Sequence, residues 1–328
     1  MNNKEEIFKI NTEEEFNRIS LEVFKYQFEI NKVYQRFAKC FIQNSDDVKN
    51  YFDIPFLPIE FFKKEKIICT DTLPEIVFRS SGTSGIGESC HYVSDLSVYK
   101  TSAVKGFEMI YGSLNDYTIL ALLPSYLERS NSSLVWMIEH FISLSDYKND
   151  CGFFLDDHNT LIKKIKILKD LPSRKVLLLG VSYALLDLAE KINFSLENII
   201  VMETGGMKGK RKEMVREELH EILCEKIGIA AVHSEYGMTE MLSQAYSQGN
   251  GKFKCPPWMK ILIRETNDPL TFATTGKTGG INIIDLANIN SCSFIATQDL
   301  GKLHNDETFE VLGRFDSSDV RGCNLMVN

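Results

Sequence analysis

Short apolar runs alternate with amphipathic stretches through the middle of the chain, and this alternation constrains the fold more than any other feature. The apolar runs are TILALL from Thr118, KVLLLG from Lys175, NIIVM from Asn198 and IAAV from Ile229. The amphipathic stretches between them are Thr160 to Leu168, Tyr183 to Ile192 and Arg211 to Ile227. Strands and helices that alternate in this way build a parallel sheet covered on both faces. We therefore predict an α/β fold.

Different patterns flank this central part. Thr12 and Glu15 have the spacing of a capping box and precede an apolar repeat at helical spacing, so the first sixty residues are predicted to be largely helical. After Gly279 the closely spaced runs INIID, SFIAT and FEVLG predict a small β-rich portion near the C-terminus. We predict two units, an N-terminal helical layer at 1–70 and a larger domain at 71–328.

Composition excludes several classes of protein. The 328 residues are 44% hydrophobic and carry a net charge of -8, which is typical of a globular protein and argues against nucleic-acid binding. The N-terminus lacks the pattern of a signal peptide, and no apolar run is long enough to span a bilayer, so we expect a cytoplasmic protein without integral membrane association. The eight cysteines form no C-x-x-C pair, which argues against a zinc site or a disulfide framework.

Polar loops that contain glycine follow three predicted strands. These loops are FRSSGTSGIGES from Phe78, ETGGMKGK from Glu203 and HSEYGMTE from His233. The last two follow neighbouring runs of the predicted parallel sheet, and ligands of such sheets bind beyond the carboxyl ends of the strands. The first is either an ordinary turn or an anion cradle built from backbone N–H groups and hydroxyls. No Gly-Lys pair follows it, which excludes a Walker-type P-loop.

Four motifs in order resemble those of the adenylate-forming enzymes, the superfamily of acyl-CoA synthetases and luciferases. They are FRSSGTSG at 78–85, GGM at 205–207, YGMTE at 236–240, and TQDLG at 297–301 followed by GRFDSSDVRG at 313–322. More narrowly, the segments at 55–63, 122–137, 203–220, 234–247 and 279–301 resemble the LuxE-type acyl-protein synthetases, which are ATP-dependent ligases. The resemblance implies the large N-terminal-type domain of these enzymes, with mixed and parallel sheets flanked by helices.

The resemblance also implies an ATP site. Its residues are Ser80, Ser81, Gly82, Thr83, Ser84, Gly85, Gly205, Gly206, Met207, Tyr236, Gly237, Met238, Thr239, Asp299 and Arg314. The loop at 80–85 would hold the β- and γ-phosphates, and Tyr236 would stack on adenine unless it packs in the core. Asp299 would accept hydrogen bonds from the ribose hydroxyls, and Arg314 would reach the ribose or the α-phosphate. A mutual ion pair is the alternative for Asp299 and Arg314.

Further residues are implied for the metal, the acid and the thiol. Glu240 and the hydroxyl of Thr83 would bind Mg²⁺, which prefers hard oxygen ligands, unless Glu240 is only a surface residue. Glu240 and Arg314 would act in catalysis with Cys323, whose thiol would carry the acyl group unless it packs a last strand. The residues expected to contact the carboxylate of the acid are Tyr126, Arg129 and Asn131.

The implied reaction is the activation of a fatty or other carboxylic acid by ATP and the transfer of its acyl group to a protein cysteine. The acceptor would be a partner such as a fatty-acyl reductase. Two alternatives stay open, namely a CoA ligase of the phenylacetate type without its cap, and a non-catalytic nucleotide- or acyl-binding partner. The sequence does not indicate the length of the acid.

One element of the wider superfamily is expected to be absent. Full-length acyl-CoA synthetases carry a mobile C-terminal domain with a lysine that stabilises the reacting carboxylate, and this chain stops at Asn328. Another cation would then take that role, and the candidates are Lys208, Lys210, Arg211 and Arg321.

Overall fold

The computed structural model describes residues 4–70, 73–80, 87–124, 131–171, 173–205, 211 and 214–315. Its α-helices are α1 Glu13–Ile30, α2 Lys32–Ala38, α3 Phe61–Lys64, α4 Leu96–Tyr111, α5 Ser133–Leu144, α6 His158–Leu168, α7 Ser182–Ala189 and α8 Arg216–Ile227. Its strands are β1 Leu57–Pro58, β2 Ile76–Arg79, β3 Cys90–Val93, β4 Tyr117–Leu122, β5 Gly152–Phe153, β6 Lys175–Val181, β7 Ile199–Thr204, β8 His233–Tyr236, β9 Ala245–Ser247, β10 Met259–Arg264, β11 Thr278–Asp285, β12 Phe294–Leu303 and β13 Phe309–Arg314. None of these helices is long and apolar enough to cross a membrane.

The predicted parallel sheet is present at the centre of the molecule. Its strand order is β5-β4-β6-β7-β8-β9, and all neighbours are parallel except β8 and β9. Every residue of β4 is buried, and so is every residue of β6 after Lys175. Burial on both faces explains why these strands are continuous apolar runs. The α/β fold class is confirmed.

One predicted strand is displaced. The apolar run at 229–232 was expected to form it, but the strand β8 begins at His233 and pairs with β7 from Met202 onward. The polar residues of β8 tolerate burial because their side chains are hydrogen-bonded, as Ser234 is to Glu203 and Glu235 is to Thr204. A hydropathy pattern does not reveal a strand that is buried in this way.

A second sheet carries the C-terminal β-rich portion. It has the order β1-β12-β11-β10, with β13 also paired to β12, and only the β1–β12 pair is parallel. The helix α1 begins with the predicted capping box at Thr12 and docks here through buried Gln27. The amide of Gln27 donates to the carbonyl oxygens of Asn288 and Ile289, and it accepts from the backbone of Ser293. The unit boundary near residue 70 stays a prediction.

The strands β2 and β3 form a separate antiparallel hairpin that carries the first glycine-rich loop. Ser80 closes the base of that loop, since its backbone N–H donates to Ser89 and its hydroxyl accepts from the Ser89 N–H. The backbone N–H of Arg79 donates to the carbonyl of Asn131 at 2.8 Å. The loop therefore leaves a hairpin that is fixed to the segment before α5.

Two glycines test how closely these elements approach one another. Gly106 lies inside α4, where an added Cβ would come no closer than 4.0 Å to another residue, whereas a Cβ on Gly279 would overlap the carbonyl oxygen of Arg264 across the sheet. We expect Gly106→Ala to raise the free energy of unfolding by about 0.5–1 kcal/mol, because alanine favours a helix. We expect Gly279→Ala to lower it by about 1–3 kcal/mol through overpacking. Urea denaturation of both variants measures the contrast, and equal midpoints would contradict it.

Candidate active site

Two of the polar loops leave the parallel sheet side by side. In the β7–β8 pair Thr204 lies opposite Glu235, so the chain emerges at Gly205 and at Gly237 from the same edge. Carboxyl ends of parallel strands are where such sheets bind ligands. The structure thus brings Gly205 next to the 237–240 loop, as the sequence pattern predicted.

Glu240 ends this loop with a buried carboxyl group. Burial raises its pKa, and a hydrogen bond with Ser89 at the base of the glycine-rich loop opposes that rise. Among the described residues Glu240 forms no ion pair, and the charges of Arg314 and Lys63 reach it only at longer range. A buried carboxylate in this situation fits a cation such as Mg²⁺, which ordinarily takes one or two carboxylates and fills its other positions with phosphate and water.

A buried histidine and asparagine join the hairpin β2–β3 to the 237–240 loop. His91 lies with Nδ1 at 2.8 Å from the carbonyl oxygen of Thr239 and with Nε2 at 2.9 Å from Oδ1 of Asn288. The amide of Asn288 donates to the carbonyl oxygens of Glu240 and Cys292 at 2.7 and 2.9 Å. These contacts hold the backbone beside Glu240 in place and connect it to the strand that follows the glycine-rich loop.

Asp285 holds the chain that follows Glu240. Its carboxylate accepts from the backbone N–H groups of Leu242 and Ser243 at 2.8 and 3.0 Å, and from the Ser243 hydroxyl. That hydroxyl in turn lies within 3.0 Å of Nε1 of Trp258 and of the hydroxyl of Ser102. Buried polar groups of His91, Asn288 and Asp285 therefore fix the backbone from Thr239 to Ser243.

Tyr236, Asp299 and Arg314 lie together, as their shared assignment to the nucleotide site requires. The Tyr236 hydroxyl donates to Oδ2 of Asp299 at 2.8 Å, and Nε of Arg314 donates to Oδ1 at 3.0 Å. The Tyr236 ring packs against Phe253 and Phe309. The ion pair is the alternative considered for Asp299 and Arg314, and the core contacts are the alternative considered for Tyr236. Adenine stacking and ribose binding stay predictions. The Arg314 side chain is 76% exposed, whereas the side chain of Asp299 is buried.

Several predicted site residues lie outside the described part of the chain. They are Ser81, Gly82, Thr83, Ser84, Gly85, Tyr126, Arg129, Gly206, Met207 and Cys323, together with the candidate cations Lys208, Lys210 and Arg321. Their roles stay predictions. The fourth candidate cation, Arg211, forms ion pairs with Asp187 and Glu190 of the segment around α7.

A cavity of about 160 Å³ lies beside these loops, at the sheet edge where the sequence predicted that ligands bind. It is lined by Arg79, Tyr99, Ser132, Ser133, Leu134, Met137, Thr204, Gly205, Glu235, Gly237, Met238, Thr239 and Gln244. Four of these residues, Gly205, Gly237, Met238 and Thr239, were predicted to belong to the ATP site. Asn131 directly precedes the lining at Ser132 and Ser133. One indication of this lining was present in the sequence, namely a glutamate near the end of each of the strands β7 and β8.

Those two glutamates, Glu203 and Glu235, are both buried but are held differently. Burial raises the pKa of Glu203, yet a hydrogen bond with His220 and the charge of Arg216 prevail and leave it below its ordinary value. Glu235 has no cation beside it among the described residues, and only the hydroxyl of Thr204 donates to it. Burial and the neighbouring Glu203 raise the pKa of Glu235 to about 7.

This raised pKa predicts a pH-dependent stability. The folded chain holds the Glu235 proton up to about pH 7, whereas the unfolded chain loses it near 4.5, so the folded state loses relative stability as the pH rises between these values. Glu235→Gln stays neutral throughout. We expect the variant to gain on the order of 3 kcal/mol over the wild type between about pH 4.5 and pH 8. Chemical denaturation at several pH values measures this difference, and parallel profiles would contradict it.

Solved structures with this fold define its class. A 2-hydroxyisobutyryl-CoA ligase in the postadenylation state, in complex with 2-HIB-AMP, is 13% identical with a TM-score of 0.71 over 93% of this chain and 68% of that one. ATP-bound MatB from Rhodopseudomonas palustris is 17% identical with a TM-score of 0.52 over 73% of this chain and 47% of that one. The chain thus spans about half the length of MatB. The fold is that of the adenylate-forming ligases.

The sequence assigns the chain to one family within this class. A family model of the acyl-protein synthetases, LuxE, matches residues 6–328, and the chain belongs to this family of ligases. A search of curated protein sequences found no match.

Proposed function

We propose that this protein activates a carboxylic acid with ATP and passes the acyl group to a cysteine thiol. The observation that carries the proposal is that Gly205 and the loop at 237–239 line one cavity at the edge of the parallel sheet, with Glu240 as the next residue of that loop. Membership of the LuxE family supports it, as do the similar folds of ligases described with ATP or with an acyl-adenylate.

The proposed chemistry has two steps. A carboxylate oxygen attacks the α-phosphorus of ATP, and pyrophosphate leaves with the electrons of the broken P–O bond. A thiolate then attacks the acyl carbon of the acyl-adenylate, and AMP leaves. The protein contributes mainly position and charge, which dominate catalysis of such transfers. Glu240 and Thr83 would hold Mg²⁺, which would neutralise phosphate charge when bound.

The cavity beside Gly205 and Gly237 is the proposed acid site. Its lining includes Ser132 and Met137, which belong to the same segment, 122–137, as the predicted carboxylate contacts Tyr126, Arg129 and Asn131. A fatty acid is the substrate class that the family implies. Tyr126 and Arg129 stay proposed contacts of the carboxylate, and Asn131 already holds the adjacent hairpin through its carbonyl.

Cys323 is the proposed acyl carrier, with a separate protein as the final acceptor. Burial raises the pKa of five other cysteines, Cys69 to about 12 and Cys151, Cys224, Cys255 and Cys292 also upward. Thiols held in the protonated form are poor nucleophiles. Arg321 lies two residues from Cys323 in the sequence and would favour its thiolate.

The metal role is tested by Glu240→Gln, which keeps the size of the side chain and removes its charge. We expect ATP–pyrophosphate exchange to fall by on the order of a hundredfold and its Mg²⁺ requirement to rise, because the metal loses its protein carboxylate. Exposed Glu197 provides a matched control, and Glu197→Gln should exchange normally. If Glu240→Gln exchanges pyrophosphate at the wild-type rate and needs no more Mg²⁺ than the wild type does, the metal binds elsewhere.

The thiol role is tested by incubating Cys323→Ser with ATP, Mg²⁺ and labelled fatty acid. We expect pyrophosphate exchange to continue while the hydroxylamine-labile protein label disappears, since only the carrier thiol is lost. Cys40→Ser and Cys90→Ser serve as controls, because Cys40 is exposed and Cys90 is partly exposed.

If Cys323→Ser retains the label, Cys323 is not the carrier. Label on free CoA would favour a CoA ligase. ATP binding without exchange would favour a non-catalytic partner.

A further inference from the structure

The strand β12 departs from regular pairing at the residues around Asp299. The register between β11 and β12 shifts between Gly280 and Asn282, so the single residue Ile281 of β11 faces the three residues 297–299 of β12. Extra residues in one strand form a β-bulge, which bends the strand and changes the direction of its side chains. The direction of the Asp299 carboxylate therefore depends on how this bulge is held.

The side chain of Arg264 reaches the bulge from two strands away. Arg264 of β10 lies opposite Gly280 of β11, and a Cβ on that glycine would be only 2.4 Å from Cζ of Arg264. Nη1 of Arg264 donates to the carbonyl oxygen of Ile281 and to Oδ1 of Asn282, both at 2.8 Å. Nη2 donates to the carbonyl oxygen of Thr297. The guanidinium thus crosses β11 over a glycine and binds both sides of the bulge.

Thr297 connects Arg264 to Asp299. The Thr297 hydroxyl donates to the carbonyl oxygen of Ile281 at 2.9 Å and accepts from the backbone N–H of Asp299 at 3.0 Å. The backbone of Asp299 is therefore held by a short chain of hydrogen bonds that ends at the guanidinium. The carboxylate of the same residue accepts from Tyr236 and Arg314.

Arg264 also contacts the residue that follows β13. Its Cζ lies 5.5 Å from the centroid of the Phe315 ring, and the backbone N–H of Phe315 donates to the carbonyl oxygen of Gln298 at 2.8 Å. Phe315 directly follows Arg314, the predicted partner of the ribose or the α-phosphate. One side chain therefore contacts both strands that carry these predicted nucleotide contacts.

The shape of arginine suits this position and that of lysine does not. Ile281 and Thr297 are buried, and a buried carbonyl oxygen without a donor is costly. The planar guanidinium directs several N–H groups at acceptors on different strands, whereas lysine has a single nitrogen. Lysine at position 264 would keep the charge and lose part of the bonds that hold the bulge.

From these contacts we infer that Arg264 is a positioning residue of the nucleotide site, which holds the β12 bulge so that Asp299 accepts from the ribose hydroxyls of ATP. The inference rests on the proposed function, of which it concerns the binding of ATP. Arg264 acts through Thr297 and Asp299 and not by contact with the nucleotide. A binding group must be held within about 0.5 Å of its productive geometry, and the bulge alone would not hold Asp299 to that precision.

The test compares ATP with 2′,3′-dideoxy-ATP, which lacks both ribose hydroxyls. Isothermal calorimetry with Mg²⁺ gives the dissociation constant of each nucleotide. Pyrophosphate exchange with straight-chain fatty acids from hexanoic to stearic acid gives kcat and KM. We expect the wild type to prefer ATP by about a hundredfold, because the analogue forms neither hydrogen bond to the carboxylate.

Arg264→Lys should reduce this preference to within about fivefold and leave the KM for the fatty acid within about twofold of the wild-type value. A merely structural role would weaken both nucleotides alike and leave the preference unchanged. Gly280→Ala keeps the arginine but displaces its guanidinium, and it decides the question if Arg264→Lys does not fold. This variant should reduce the preference severalfold.

Arg174→Lys is the matched control. Cζ of Arg174 lies 4.3 Å from the centroid of the Tyr147 ring, and its guanidinium donates to Asp150, so it too combines an aromatic contact with a polar one. These contacts lie beside β5 and not in the second sheet. The variant should keep the wild-type preference for ATP.

The outcomes distinguish this inference from the proposed function. If Arg264→Lys and Gly280→Ala keep the wild-type preference, the inference is wrong and the proposed function is unaffected. Equal use of both nucleotides by the wild type also overturns the inference, while exchange itself still supports activation of the acid. A preference that depends on Arg264 in calorimetry, without exchange for any acid, supports the inference and overturns the proposed function. If neither nucleotide binds, both are wrong.

Discussion

The parallel pairing of β7 with β8 is the constraint on which the candidate site depends. It sets Thr204 opposite Glu235, and the two loops that line the cavity begin one or two residues beyond this pair. Gly205 and Gly237 begin the two loops, and the cavity lies between them. A shift of one residue in this register would reverse the side chains of β8 and turn Glu235 away from Thr204.

Buried polar groups fix the loop that follows β8 at this edge of the sheet. Gln27 of the N-terminal helix holds the segment around Asn288, and Asn288 holds the backbone of Glu240. Asp285 of the second sheet accepts from the chain just beyond. These bonds cross long distances in sequence, so the helical layer and the second sheet both stabilise the loop that carries Glu240. Such satisfied networks favour a single arrangement over its alternatives.

The buried glutamates Glu203 and Glu235 have different roles because their neighbours differ. Arg216 and His220 compensate Glu203, which stays ionised and supports the structure beneath the loops. Glu235 lies on the neighbouring strand β8, opposite Thr204, and lines the cavity. Among the described residues, only the hydroxyl of Thr204 donates a hydrogen bond to it. A carboxyl group with spare acceptor capacity and a raised pKa is typical of a binding or catalytic position rather than of a structural one.

The sequence by itself determined the strand-and-helix order, the loops at 205 and 237–240, and the capping box at Thr12, because periodicity, glycine and caps act over a few residues. It also located the motifs through which the family was recognised. It did not indicate β8, whose polar residues are buried by hydrogen bonds, nor Glu235, Gln244 and Arg79 as one lining. Only the tertiary structure decided these, because their meeting depends on the register between strands and on partners far apart in the chain.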